Sequence, residues 1–178
     1  MMPMAPSTVH SENPEPQKAA LARSFAVRAH GDQRYGAHPY SHHLDAVAEL
    51  ARPFGDEAEA AAYLHDVKED VEGMTLAELR GPFGEDVAEA VDLLSDPPGA
   101  TRKERKAQAY ARLAATTNRL ALIVKPCDRL ANMRACVADG NARLLEIYRS
   151  EHSAFRAAAY RPGLCDGIWQ ELDELAVN

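Results

Sequence analysis

The residues best able to do chemistry lie together in residues 61–71, which read AAYLHDVKEDV. About two helical turns of this stretch carry His65, Asp66, Glu69 and Asp70. In a helix, Glu69 would lie at i+4 from His65 and at i+3 from Asp66, so these side chains project from one side. Burying so many titratable groups is costly unless something compensates them. A divalent cation would do so, because imidazole and carboxylate are ligands of zinc, manganese and iron.

The alternative for this stretch is a solvated helix face, since a lone His-Asp pair is common. A second histidine favours the metal interpretation. The next helix upstream places His43, Val47 and Leu50 at i, i+4 and i+7, so His43 points toward the core. The His42 side chain is rotated by about 100° from that face. An inward histidine at a helix start is more often a hydrogen-bonded core residue, but the nearby His-Asp pair favours His43 as a metal ligand.

A further carboxylate follows the apolar run in residues 120–134, LALIVKPCDRLANMR. If a helix resumes after Pro126, Asp128 and Asn132 lie one turn apart on one face, with Arg129 beside them. Asp128 at the end of a buried segment fits a fourth metal ligand, and the Asn132 amide could orient a substrate. The alternative for Asp128 is a carboxylate favoured by the positive end of a helix dipole.

These residues must be positioned by helices. Hydrophobic residues make up 46% of the 178-residue chain, with alanine-rich helical patterns and little β-branched alternation, which predicts an all-α fold. Predicted helix starts are Gln17, Ser41, Asp56, Thr75, Gly84 and Thr101, and predicted breaks are Gly31, Pro53, Gly55, Gly73 and residues 95–100. Thr75 and Glu78 form a predicted capping box.

The domain organisation follows from length and composition. The chain is long enough for one well-buried core and short for two domains. Residues 1–16 hold four prolines and no hydrophobic period, so we expect a disordered tail. Residues 17–178 are expected to form a single domain, a compact multi-helix bundle, with the helices after about residue 140 acting as scaffold.

One loop and one basic run are candidates for substrate contacts, and a second loop is expected to be mobile. Residues 31–39 (GDQRYGAHP) are predicted to be a loop, and the candidates for a binding rim within it are Gln33, Arg34, Tyr35 and His38. A lone Arg34 is more often an ordinary surface arginine. Residues 95–100 (SDPPGA) are the best candidate for a mobile loop. The basic side chains in residues 102–106 open a helix, where cations oppose the dipole. They suggest a phosphate-facing rim, but solvation and pairing with Glu104 is the favoured interpretation.

Composition also restricts partners and location. The net charge of −7 argues against a nucleic-acid partner, which would require a basic face. Three scattered cysteines indicate a reducing compartment without a disulfide framework. No apolar run approaches a membrane span, and no signal peptide is visible, so we expect a soluble cytoplasmic protein without a membrane partner.

The pattern of His43, His65-Asp66 and Asp128 resembles the HD-domain metal-dependent phosphohydrolases. More closely, the chain resembles the hydrolase domain of RelA/SpoT-type alarmone enzymes and the single-domain small alarmone hydrolases. The matching pieces are AHGDQR, PYSHHLDAVA, AAYLHDVKED, TLAELRGPFGEDVAEAV and KPCDRLANMR, in family order over about residues 24–134. The bare His-Asp pair is weakly specific, whereas HDVKED followed by DRLANMR is strongly specific.

The resemblance implies a ligand set and roles for individual residues. One divalent transition metal, usually manganese in this family, would be bound by His43, His65, Asp66 and Asp128. Glu69 and Asp70 would then handle the attacking water and proton transfer, while Arg34 and Asn132 would contact the nucleotide.

The sequence departs from the family at two positions. Tyr35 stands where the family often has lysine, which leaves the exact substrate open. Leu44 replaces the family's proline and should not affect the metal.

The resemblance implies hydrolysis of the 3′-pyrophosphate of guanosine tetra- or pentaphosphate (ppGpp or pppGpp). The side chains of Lys125, Arg129 and Arg34 could offset the charge of a pyrophosphate group. Two alternatives remain. One is an HD-domain phosphatase acting on another nucleotide, and the other is a non-catalytic alarmone-binding sensor. A pure sensor would not need the Glu69-Asp70 pair. The oligomeric state is not determined.

Overall fold

A computed structural model describes residues 17–177 and places most of them in ten α-helices. The predicted all-α fold is therefore confirmed, whereas the predicted tail over residues 1–16 lies outside the described residues. The single-domain prediction for residues 17–178 stays a prediction. The helices are α1 (Lys18–His30), α2 (Ser41–Ala51), α3 (Asp56–Leu64), α4 (Val67–Asp70), α5 (Leu76–Phe83), α6 (Glu85–Leu94), α7 (Arg102–Ala115), α8 (Arg119–Ala138), α9 (Ala142–Ala159) and α10 (Asp166–Val177).

Between α1 and α2 the predicted loop contains a short hairpin. Strands β1 (Arg34–Tyr35) and β2 (His38–Pro39) pair antiparallel, with Arg34 opposite Pro39 and Tyr35 opposite His38. Gly36 in the connecting turn has φ +56°, a conformation that side chains other than glycine rarely adopt. The hairpin therefore gives Tyr35 a fixed direction that a loop prediction does not provide.

Several helix starts follow the sequence prediction. Thr75 and Glu78 form the expected capping box at α5, and Thr101 and Glu104 form a second one at α7. Each box satisfies backbone N–H groups that the first turn of a helix leaves unpaired.

Two predicted caps are wrong. Ser41 is the first residue of α2, and Tyr40 occupies the cap position. Asp56 is the first residue of α3, but its carboxylate faces the neighbouring helix, where it accepts hydrogen bonds from the backbone N–H groups of Lys18 (2.9 Å) and Ala19 (3.1 Å). Asp56 therefore caps α1 across the structure, a pairing that local sequence cannot indicate.

The predicted continuous helix over residues 56–73 is also wrong. Helix α3 ends at Leu64, His65 and Asp66 form a turn, and α4 adds only residues 67–70. Asp66 has φ −102° and ψ −5°, in the sparsely populated bridge region where active-site residues are frequent. The break changes the directions of the side chains on either side of it.

The sequence predicts a helix that resumes after Pro126, but α8 runs without a break through this residue. Proline has no N–H, so the carbonyl four residues earlier loses its helical partner. That carbonyl belongs to Leu122, and the Cys165 thiol donates a hydrogen bond to it at 3.8 Å. A donor from another part of the chain thus compensates the internal proline.

Helix α8 lies at the centre of the bundle and packs against α2, α3, α6, α9 and α10. Its first half joins an apolar cluster with α1 to α6, and its second half joins another with α7, α9 and α10. Asp128 lies where the two halves meet, on a helix that packs against five others. None of the helices in the described range is long and apolar enough to cross a bilayer.

Candidate metal centre and adjoining cleft

Three separate elements bring the predicted ligands together. His43 lies in the first turn of α2, His65 and Asp66 form the turn between α3 and α4, and Asp128 lies in the middle of α8. Both histidines are buried, while the two carboxylates keep partial access to solvent. The centre is therefore closed on the core side and open toward a cleft.

The distances within this centre suit a single ion. His43 Nε2 lies 3.3 Å from His65 Nε2 and 3.2 Å from Asp128 Oδ1. His65 Nε2 lies 2.9 Å from Asp66 Oδ2 and 3.5 Å from Asp128 Oδ1. Neighbouring ligands bound at about 2.1 Å at right angles are about 3 Å apart. The His43, His65 and Asp66 side chains form a cluster that could hold a metal ion, and Asp128 completes the set of four predicted ligands.

Hydrogen bonds orient the ligand atoms toward a common point. His65 Nδ1 lies 2.7 Å from the carbonyl oxygen of Ala62, a contact that requires a proton on Nδ1 and leaves Nε2 of the neutral ring free as a ligand. The Tyr40 hydroxyl donates to Asp66 Oδ2, and burial together with the Asp66 charge raises the pKa of Tyr40. Tyr40 is a site residue that sequence reasoning missed.

The electrostatics of the centre favour a positive charge. Burial lowers the pKa of His65, but the Asp66 and Asp128 carboxylates outweigh burial and hold that pKa well above its ordinary value. Burial raises the pKa of Asp66, but the adjacent His65 more than offsets this and lowers it to about 2. The pKa of Asp128 is likewise held well below its ordinary value, because His43 and His65 outweigh its burial. Ligand type, spacing and charge all fit a divalent transition metal.

Two predicted substrate residues contact the ligands instead. Asn132 Nδ2 donates to Asp128 Oδ1 at 2.7 Å, and Asn132 Oδ1 accepts from the Tyr35 hydroxyl at 2.8 Å. The Tyr35 ring stacks on His43, with ring centroids 4.7 Å apart and an interplanar angle of 16°. Both side chains also line the cleft, so a molecule bound in the cleft could contact them.

The predicted catalytic pair lies on α4 at the exposed mouth of the cleft. Glu69 Oε2 accepts a hydrogen bond from the backbone N–H of Asp96 at 2.9 Å. Withdrawal of the Glu69 carboxyl group from water raises its pKa, and the Asp96 N–H opposes that rise. Asp70 Oδ2 accepts from Gln33 Nε2 at 2.7 Å. Each carboxylate is thus held by a partner outside α4.

The cleft has a volume of about 210 Å³ and mixed charge. Lys125 donates to the Leu94 carbonyl at 2.9 Å and lies 3.8 Å from Asp128 Oδ2. Tyr148 of α9 also lines the cleft, a position that the sequence suggested only as scaffold. Its side chain gave no signal in the sequence, because an apolar stripe on a late helix is typical of core packing.

The basic run at the start of α7 faces this cleft. The favoured expectation of solvated side chains paired with Glu104 is wrong for Lys106, which is largely buried. Arg102 is exposed as expected but has a different partner, and both side chains line the cleft. Arg102 pairs with Glu151 at 2.7 Å, and Lys106 pairs with Asp96 at 2.7 Å. Sequence reasoning missed these partners because they lie on other elements.

The remaining two predicted substrate residues, Arg129 and Arg34, make contacts with other parts of the protein. Arg129 is 5% exposed, donates to Glu151 at 3.1 Å and lies between the Tyr148 and Phe155 rings. Its contacts are internal, although it borders the cleft.

Arg34 is exposed on the hairpin, where its guanidinium donates to the Ala37 carbonyl, and it is not among the described residues that line the cleft. His42 is exposed and stacks on His38, in agreement with the choice of His43 as the inward histidine.

A second groove lies on the other side of the Tyr35 and His43 rings. It has a volume of about 360 Å³ between α2 and α8, and its walls are largely apolar. The lining residues include Ala46, Leu50, Ala131, Arg134 and Ala135. A flat apolar group could lie there beside the metal centre.

The fold and site define a helical protein in which two buried histidines and two partly exposed carboxylates form a cluster that could hold a metal ion. A family model described as "HD domain" matches residues 22–165. The chain belongs to the HD-domain family, and the resemblance inferred from the sequence is confirmed.

Relatives extend this comparison. A Synechocystis protein named "Probable guanosine-3′,5′-bis(diphosphate) 3′-pyrophosphohydrolase" is 36% identical over 160 residues, which cover 85% of this chain and 21% of that protein. The chain therefore spans about a fifth of the length of that relative. The Danio rerio protein named guanosine-3′,5′-bis(diphosphate) 3′-pyrophosphohydrolase MESH1 is 32% identical over 127 residues, covering 66% of this chain and 69% of that protein.

A solved structure shares the fold. It is described as "A metazoan ortholog of SpoT hydrolyzes ppGpp and plays a role in starvation responses". The TM-score is 0.75 at 22% sequence identity, with 97% of this chain and 96% of the other covered.

Proposed function

We propose that the chain is a metal-dependent hydrolase that removes the 3′-pyrophosphate from guanosine-3′,5′-bis(diphosphate) or its pentaphosphate, giving GDP or GTP and pyrophosphate. The observation that carries this proposal is the convergence of two histidines and two carboxylates beside the Glu69-Asp70 pair in one cleft. The names of the Synechocystis and Danio rerio relatives supply the substrate. A cytoplasmic location is proposed from the three unpaired cysteines.

In this proposal His43, His65, Asp66 and Asp128 hold one divalent transition metal, with manganese preferred. Such an ion lowers the pKa of a bound water and neutralises charge that develops on phosphorus. Two neutral imidazoles and two carboxylates leave positions open on a six-coordinate ion, which a structural site would close.

The acid pair on α4 is proposed to move the proton. Glu69, whose carboxyl group has a raised pKa, accepts a proton from the attacking water more readily than an ordinary carboxylate does. Asp70, held by Gln33, completes the pair and keeps negative charge at the mouth of the cleft. Lys125 and Arg129 offset the charge of the departing pyrophosphate.

The nucleoside is proposed to reach the cleft past Tyr35. The apolar groove between α2 and α8 offers a wall for a purine base. Asn132, which lines the cleft, would complete the nucleotide contacts, together with Arg34 from the neighbouring hairpin. The base then lies on one side of the Tyr35 ring and the 3′-pyrophosphate on the other.

The decisive experiment incubates the purified protein and manganese with guanosine tetraphosphate and identifies products by mass. The expected products are GDP and pyrophosphate. Glu69→Gln should keep the metal and the nucleotide but lower turnover by about a hundredfold or more. Release of single phosphates, or equal turnover in the variant, would contradict the proposal. Binding without turnover in the wild type would favour the sensor.

The ligand set is tested separately by elemental analysis. We expect about one transition metal per chain in the wild type. The ion should be lost in His65→Ala and in Asp128→Ala and retained in His42→Ala, which removes an exposed histidine from the same helix as His43. Full occupancy in either of the first two variants would rule out the assignment.

One observation favours a simpler phosphatase, because Arg34 is bound to Ala37 and does not line the cleft in the described part of the chain. Kinetics of Arg34→Ala on the tetraphosphate and on a plain phosphate ester distinguish the two functions. Under the proposal the Michaelis constant for the tetraphosphate rises more than turnover falls. This result indicates the loss of a contact that binds the substrate and the transition state equally well. An unchanged constant for both substrates would favour the phosphatase.

A further inference from the structure

The carboxylate proposed to accept the proton is held by a segment outside its own helix. Glu69 lies on α4, a helix of only four residues that follows the break at His65 and Asp66. Its Oε2 accepts a hydrogen bond from the backbone N–H of Asp96 at 2.9 Å. Asp96 lies in the segment Ser95–Ala100, which connects α6 to α7. The direction of the Glu69 carboxylate therefore depends on where this segment lies.

The segment is tied down at several points. Ser95 Oγ donates to the Val91 carbonyl at 2.8 Å, which joins the segment to the end of α6. On the α7 side, Lys106 Nζ donates to both carboxylate oxygens of Asp96, at 3.0 and 2.7 Å. Arg105 Nη1 donates to the Gly99 carbonyl at 3.2 Å. A segment predicted from its prolines and glycine to be mobile thus has fixed contacts with both flanking helices.

The Lys106–Asp96 pair is the strongest of these ties. Both side chains are largely buried, at 15% and 14% exposed, so water screens their attraction less than it screens a surface pair. The pair also places a positive charge beside the Asp96 carboxylate, whose negative charge contributes to the raised pKa of the nearby Glu69 carboxyl group. Without Lys106, Asp96 would move toward water and carry its backbone N–H away from Glu69.

We propose that Lys106 and Asp96 are positioning residues for Glu69. Lys106 fixes the Asp96 side chain, and the Asp96 backbone N–H holds the Glu69 carboxylate in the cleft that the predicted metal ligands also line. In this arrangement Lys106 lines the cleft without being a substrate ligand. The inference rests on the proposed function, because it assigns Glu69 the proton-transfer role.

A double-mutant cycle tests the proposal with manganese and guanosine tetraphosphate. Lys106→Met and Asp96→Ala should each lower kcat by about tenfold or more, because small displacements of a catalytic group are costly, while KM changes less than about twofold. The double variant should be no slower than the slower single variant, since both changes break one tie. Lys106→Arg should restore most of kcat. Metal content should stay at the wild-type level throughout.

The matched control is Lys103→Met, which removes an exposed lysine from the same turn of α7 and should leave kcat and KM unchanged. A raised KM with normal kcat in Lys106→Met, together with normal kinetics in Asp96→Ala, would make Lys106 a substrate ligand and overturn the proposal. Effects that multiply in the double variant would overturn it as well.

Hydrogen exchange of the Asp96 backbone amide tests, independently of catalysis, whether Lys106 and Glu69 hold this amide in place. We expect exchange about tenfold faster than wild type in Glu69→Ala and in Lys106→Met, and unchanged in Lys103→Met. The same exchange rate in the wild type and in all three variants would refute the link from Lys106 through Asp96 to Glu69, even if turnover is observed. If the amide responds but the wild type does not cleave the tetraphosphate, the proposed function fails and the link from Lys106 to Glu69 stands.

Discussion

At the scale of single residues, the metal centre depends on a chain of contacts behind the ligands. The Tyr35 hydroxyl donates to Asn132, and the Asn132 amide donates to Asp128. Such outer contacts orient ligand atoms and tune how strongly they bind a metal. Asn132, expected from the sequence to contact the nucleotide, is therefore placed to act on the metal as well.

Asn132→Ala should weaken manganese affinity by about 10- to 100-fold, because Asp128 loses the hydrogen bond that orients its carboxylate. Tyr35→Phe, which keeps the ring on His43 and removes only the hydroxyl, should have a smaller effect in the same direction. Titration calorimetry measures both, with His42→Ala as the control. Wild-type affinity in Asn132→Ala would confine Asn132 to the substrate.

At the scale of elements, the site depends on one helix that breaks where continuity was expected and on one that continues through a proline where a break was expected. The break after Leu64 turns His65 and Asp66 toward the centre and begins α4 in a new direction. By contrast, α8 passes through Pro126 without a break, because Cys165 supplies a donor to the freed Leu122 carbonyl. Contacts between elements decide both outcomes.

The cap that joins α1 to α3 provides a prediction at this scale. Asp56→Ala should lower the free energy of unfolding by about 1 kcal/mol, within a range of roughly 0.5–2, because two backbone N–H groups of α1 lose their acceptor. Urea denaturation measures the change. Asp56→Asn keeps one side-chain acceptor and should lose less. Glu57→Ala removes only the neighbouring exposed ion pair with Lys18 and serves as the control. A loss in Glu57→Ala as large as in Asp56→Ala would contradict the cap.

At the scale of the whole molecule, the proposed ligands come from residues 43, 65–66 and 128, which are far apart in the chain. An ion bound there would join α2, the α3–α4 turn and α8. Because α8 contributes to both apolar clusters, the ion would act on the packing of the entire bundle. Metal binding and folding should therefore be linked.

Removing the metal with a chelator should lower the midpoint of thermal unfolding, since the ligands converge only in the folded chain. A free manganese concentration of 100 times Kd should add about 2.7 kcal/mol to the stability. Asp128→Ala should unfold at the same temperature with and without manganese, and His42→Ala should respond like the wild type. Differential scanning calorimetry measures this, and a wild-type midpoint indifferent to manganese would contradict the linkage.

The sequence by itself determined the properties that depend on local periodicity and residue type. The 3.6-residue repeat in the second helix distinguished the buried His43 from the exposed His42. Capping chemistry located the starts of α5 and α7. The residue types around His65 and Asp128 indicated ligands for one ion, and the structure places them around one point. Each of these features is encoded within a few residues of chain.

Only the tertiary structure decided which distant groups meet. Asp56 caps α1 rather than α3, Arg129 lies between two aromatic rings, and Lys106 pairs with Asp96 instead of facing solvent. The continuity of α8 likewise depends on Cys165, far along the chain from Pro126. The hydrophobic periodicity of the sequence indicates which face of a helix is buried, but it does not indicate which neighbouring helix covers that face. Hydrogen bonds and ion pairs between elements form only once packing has chosen those neighbours.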